Sequence, residues 1–141
     1  HPETLAFRNN LAGAYQAVGD LGRAIPLYEQ TLTDSQRVLG ADHLSTLTFC
    51  NNLAYAYQGG GDLGRAIPLY EQTLTEQERV LGADHPETLA FRNNLAGAYQ
   101  AVGDLGRAIP LYEQTLTEQE RVLGADHPDT LTSRNNLAYV Y

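Results

Sequence analysis

The chain repeats itself every 42 residues. His1, His43, His85 and His127 open four copies, residues 1–33 and 85–117 are identical, and the phrase GDLGRAIPLYEQTLT recurs at 19, 61 and 103. A period of this length is the mark of a repeat architecture. Each copy is one supersecondary unit too small to bury its own apolar face, and stacking successive copies builds the core. Three full repeats (1–42, 43–84 and 85–126) are followed by the opening of a fourth (127–141), and the whole reads as a single repeat domain.

Within a copy, the residues spell two helices. The first begins at His1-Pro2-Glu3-Thr4. Proline is harmless at a first helical position, because its missing N–H would have no partner there, and Glu3 places negative charge at the positive end of the helix dipole. Leu5, Leu11, Ala12, Ala14, Tyr15 and Val18 follow a helical rhythm. Gly19 supplies a left-handed stop and Asp20 caps the next helix at once, so the two must be antiparallel neighbours. The second helix is expected from about Leu21 to Leu39, ended by Gly40, with Leu21, Ala24, Ile25, Leu27, Tyr28, Leu32, Val38 and Leu39 as its apolar positions. At ~1.5 Å per residue it is nearly 30 Å long. Pro26 lies inside it and predicts a mild kink in the first two turns, where Gly22 leaves room for the adjustment. The predicted fold is all-α: a right-handed solenoid of antiparallel helix–turn–helix repeats, seven helices in all.

Composition narrows the partners. A net charge of −8, with all nine cations Arg and no Lys, argues against nucleic acid, whose phosphates demand a basic stripe. No window approaches the ~18 uninterrupted apolar residues of a membrane span. Cys50 is the single cysteine, so no intrachain disulfide can form, which fits a reducing, cytoplasmic setting. The chain has no Met and starts in mid-pattern, and so reads as part of a longer protein.

The order Asn10-Leu11-Ala12-x-Ala14-Tyr15-x-x-x-Gly19-Asp20-x-x-x-Ala24-x-x-x-Tyr28 resembles the tetratricopeptide repeat. Two departures stand out: Thr31 where that family prefers Ala, and Gln36 where it prefers a helix-ending Pro. Without that Pro the second helix runs on, which accounts for a 42-residue period in place of ~34. The NNLA-x-x-Y and LG-x-DHP phrases resemble the 42-residue repeats of kinesin light chains and of bacterial multi-repeat proteins, including sensor tails of signalling NTPases.

The resemblance implies a non-catalytic scaffold whose first helices line a concave groove for an extended peptide or a protein. Ala6, Asn9, Asn10, Gly13, Gln16 and Ala17 would face that groove. A carboxamide both donates and accepts, and one per step suits a peptide backbone. The candidate groove residues are therefore the pairs Asn9/Asn10, Asn51/Asn52, Asn93/Asn94 and Asn135/Asn136, or at least one member of each, the other bonding between neighbouring repeats. Tyr55 and Tyr139, which stand where the other copies carry Gly, join them as aromatic anchors. Arg8, Arg92 and Arg134, one position before the Asn pairs, are an incomplete match to a clamp for terminal carboxylates.

Other functions fit less well. Four His at fixed spacing suggest a metal, but equivalent positions in stacked repeats sit ~10 Å apart and Zn–N bonds are ~2 Å, so no metal or other cofactor is expected. No nucleophile–base pair, phosphate loop or dinucleotide fingerprint is present, so the chain does not read as an enzyme. The competing reading is a structural module. Leu131, Leu137 and Tyr141 lie on a first helix with no second helix after it, which predicts head-to-tail self-association. The Glu and Asp residues of the second helices, such as Glu29 and Asp34, read as a solvated face, with Asp34–Arg37, Glu76–Arg79 and Glu118–Arg121 as i,i+3 pairs.

Overall fold

The computed structural model describes residues 2–141; His1 and its expected role at the first helix start lie outside them. Among the described residues, seven α-helices follow one another: α1 (Pro2–Ala17), α2 (Leu21–Leu39), α3 (Leu44–Gly59), α4 (Leu63–Leu81), α5 (Pro86–Ala101), α6 (Leu105–Val122) and α7 (Pro128–Val140). The second helix of the first repeat thus runs from Leu21 to Leu39, continuous through Pro26. The missing N–H of Pro26 would have met the carbonyl of Gly22, an exposed residue in the first turn, where water can take its place.

The turns are built as the residues dictate. Gly19 has φ 81°, the left-handed region. Its N–H donates to the carbonyl of Gln16 (3.0 Å), and that of Asp20 to Tyr15 (2.8 Å), the paired bonds of a Schellman stop. The Asp20 carboxylate accepts from the Arg23 N–H and opens α2. The same bonds recur at Gly61-Asp62 and Gly103-Asp104. His43, His85 and His127 each cap a first helix, Nδ1 accepting from the N–H two residues on (3.1 Å in each case). The repeated His thus closes a helix end, and its ring nitrogen is occupied in doing so.

The chain forms two compact units, His1–Leu69 and Tyr70–Tyr141. In the first, α2 packs between α1 and α3. Its core is Leu5, Ala12, Ala24, Tyr28 and Leu32 with Leu47, Phe49, Cys50, Leu53, Ala54 and Tyr57 of α3. Thr31 is fully buried, its hydroxyl bonded to the Leu27 carbonyl (2.7 Å), so the position that departs from Ala keeps its polar atom satisfied within the helix. Ser35 and Thr46 hydroxyls meet at 2.6 Å in the same core. In the second unit, α6 packs between α5 and α7. Tyr70 is fully buried there, edge-on to Phe91 with centroids 5.4 Å apart.

Candidate functional site

The Asn pairs sit midway along the first helices, and their surroundings differ between the two units. In the first, Asn52 of α3 donates from Nδ2 to Oδ1 of Asn9 in α1 (3.1 Å). The second Asn of one repeat is thereby tied to the first Asn of the repeat before. Asn9, Asn51 and Asn52 are half-buried and Asn10 is exposed. Tyr55 follows Asn52 by three residues, nearly one turn, and is 55% exposed.

In the second unit the tie is replaced by another. Asn93 of α5 donates to the Ser133 hydroxyl of α7. Ser133 is fully buried and gives its own proton to Oε1 of Gln119 in α6. A hydroxyl has one proton, so Ser133 can only accept from Asn93. Oδ1 of Asn93 is left buried without a hydrogen-bond partner, at a cost of about 1–3 kcal/mol. Beside this network lies a cavity of about 180 Å³ lined by Ala90, Asn93, Asn94, Gln119, Asp129, Thr132 and Asn136. Asn94 and Asn136, expected from the sequence to face one groove, therefore share one recess. Asn135 is exposed, and Tyr139, three residues beyond Asn136, is 83% exposed.

Other residues expected on this face have different duties. Gln16 accepts from the Tyr28 hydroxyl (2.8 Å) and Gln100 from that of Tyr112 (3.0 Å), so both turn toward their own second helices. The Arg residues that precede the Asn pairs are committed as well. Arg8 pairs with Asp34, Arg92 with Glu78 (3.2 Å) and Arg134 with Glu120 (3.3 Å). Arg8 holds the Asp34 carboxyl below the ordinary carboxylate range, by hydrogen bonding first of all.

The sequence gives no hint that the second-helix glutamates are structural. Tyr57 donates to Glu29 (2.6 Å), Tyr99 to Glu71 (2.6 Å) and Tyr141 to Glu113 (3.0 Å), each Tyr reaching the second helix of the preceding repeat. Arg65 and Arg107 lie over the rings of Tyr57 and Tyr99 and face the same carboxylates. Burial, and then the bonded carboxylate, push the Tyr57 and Tyr99 hydroxyls above their ordinary pKa. These Glu residues are stitches between repeats, while Asp34–Arg37, Glu76–Arg79 and Glu118–Arg121 do form the i,i+3 pairs expected (3.7, 2.7 and 2.6 Å). Ser133, Gln119 and Asp129 also escaped the sequence reading. The signal for Ser133 was present: it stands where the earlier repeats have Phe7, Phe49 and Phe91.

A family model described as the tetratricopeptide repeat matches residues 3–75, 48–117 and 89–141. The chain belongs to the tetratricopeptide repeat family, and its class is the all-α, helix–turn–helix solenoid expected from the period. A crystal structure of nearly identical TPR-like repeats, from a kinesin light chain assigned in Podosopora anserina, is similar to it at 37% identity and a TM-score of 0.91, covering 100% of this chain and 67% of that one. BtubC (BKLC) from P. vanneervenii is similar in fold, with 24% identity and a TM-score of 0.89 over 97% of this chain and 55% of that one. The TPR2AB domain of yeast Sti1, solved as a complex with pHSP90, shares the fold at 22% identity and a TM-score of 0.71, covering 99% of this chain and 48% of that one. No curated protein sequence matches the chain. No helix among the described residues is long and apolar enough to cross a membrane.

Proposed function

We propose that this chain is a non-catalytic scaffold that holds an extended peptide or a partner protein along its Asn-bearing first helices. The observation that carries this reading is the cavity between α5 and α7. Asn94 and Asn136, equivalent residues of successive repeats, line it together. Carboxamides set side by side at successive steps offer the alternating donors and acceptors that a peptide backbone needs. The exposed rings of Tyr55, three residues after Asn52, and of Tyr139, three residues after Asn136, supply aromatic area for anchoring. The Sti1 complex supports the general role, since a domain of this fold there holds a protein partner. The four repeat segments act as one domain in this reading. The buried single cysteine fits a reducing compartment.

The test is the double variant Asn52→Ala with Asn94→Ala, assayed by calorimetric titration against a partner recovered by pull-down. Affinity is expected to fall by about tenfold or more with helicity unchanged by circular dichroism, since each Ala favours the helix. Unaltered affinity would remove the first-helix face from consideration.

A further inference from the structure

The cavity between α5 and α7 has a single charged residue in its lining, Asp129. Its polar lining residues are Asp129, Asn93, Asn94, Asn136, Gln119 and Thr132. No cation is among these residues. The two Arg residues of the flanking helices are already paired elsewhere, Arg92 to Glu78 and Arg134 to Glu120. The hydrogen-bond balance points the same way. Ser133 uses its proton on Gln119 and Asn93 uses its amide on Ser133, so the Asn93 carbonyl oxygen is an acceptor with no donor. Asp129 adds further acceptor sites and a full negative charge. About 180 Å³ is the share of roughly six waters at ~30 Å³ each, room for the end of one long side chain.

We propose that this cavity is the specificity subsite of the docking face and takes the lysine or arginine side chain of a basic extended peptide. A carboxylate-terminated or acidic segment is disfavoured there, because it would meet Asp129 with no cation to offset it. Between α1 and α3 the residue equivalent to Asp129 is Ser45, and the Asn9 oxygen is already satisfied by Asn52. The proposal rests on reading the first-helix face as the docking face.

The experiment measures fluorescence anisotropy of three labelled peptides of equal length, an Ala/Ser backbone with Lys, Gln or Glu at the central positions. The wild-type chain is compared with Asp129→Asn, with Asp126→Asn, and with the double variant Asn52→Ala and Asn94→Ala. Asp129→Asn keeps the shape of the lining, while Asp126→Asn removes the same charge from the loop before α7, outside the cavity. The expected result is a Lys peptide bound about tenfold more tightly than the Gln peptide, with the Glu peptide weakest. Asp129→Asn removes most of that advantage and Asp126→Asn leaves it. Equal binding of Lys and Gln peptides overturns the proposal. So does an equal loss in both Asp variants, which would mean diffuse attraction by the net negative charge. If the double Asn variant weakens every peptide alike while Lys holds no advantage, the docking face stands and the cationic subsite falls. If the double variant changes nothing, or no peptide binds, both readings fall.

Discussion

Helices α1 and α5 have the same sixteen residues and live in different surroundings. Phe91 is 2% exposed, pressed edge-on against Tyr70, while its counterpart Phe7 is 69% exposed. Asn9 accepts a hydrogen bond from Asn52, whereas Asn93 donates one to Ser133. Arg8 pairs with Asp34 of the helix that follows it, Arg92 with Glu78 of the helix that precedes it. Identical sequence therefore fixes the helix, its stop and its caps. It does not fix which side chains are buried or what they bond to. Those are properties of the neighbouring helices: Phe91 and Arg92 meet Tyr70 and Glu78 of α4, and Asn93 meets a serine where α3 carries Phe49.

The largest expected effect tests that contrast in the core. Phe91→Ala should cost ~3–5 kcal/mol in urea unfolding, and Phe7→Ala less than ~0.5 kcal/mol. Similar costs would mean that the two faces are equally covered in solution. Next is Ser133→Phe, which installs the residue found at positions 49 and 91. It deprives Asn93 of its acceptor and leaves Gln119 Oε1 without its donor, for about 1–3 kcal/mol. The Asn93 side-chain amide resonance should shift in the NMR spectrum; an unmoved resonance would show that the bond to Ser133 is not formed.

Tyr99→Phe should cost about 1 kcal/mol, because it deletes the hydroxyl donated to the partly exposed Glu71. Tyr15→Phe should cost less, since the Tyr15 ring meets Arg23 but its hydroxyl meets no glutamate among the described residues. Equal costs would refute the stitching role assigned to Glu71.

The smallest effect is in pH dependence. The Asp34 carboxyl is held down in the folded state by Arg8, so its contribution is present above the unfolded pKa and is lost as pH falls through the folded value. Acid unfolding curves of the wild type and Asp34→Asn should converge at low pH. A constant gap between them would show that the pair does not titrate as described.

Much of the fold was legible because capping and termination are local. Gly19 and Asp20 hold in one dipeptide all the information needed to stop one helix and start the next. The same locality placed α2 at Leu21–Leu39 and explained its length by the absence of a helix-ending Pro. The site was legible only in outline. The Asn pairs mark the face, but their bonding could not be read along the chain. Whether Asn93 donates or accepts depends on a serine forty residues later. The glutamates read as solvated partners are bonded to tyrosines twenty-eight residues away for the same reason.

By itself, then, the sequence determined the period, the two helices per repeat, their antiparallel turn and the family. These rest on backbone sterics and hydrogen bonds spanning a few residues, which any neighbouring helix would leave in place. Only the tertiary structure decided that one Asn strip is closed on itself and the other opens beside a cavity with an unmatched carboxylate. Burial and side-chain pairing are set by whichever atoms the stacked helices bring within reach. A serine in place of a phenylalanine was enough to redirect Asn93.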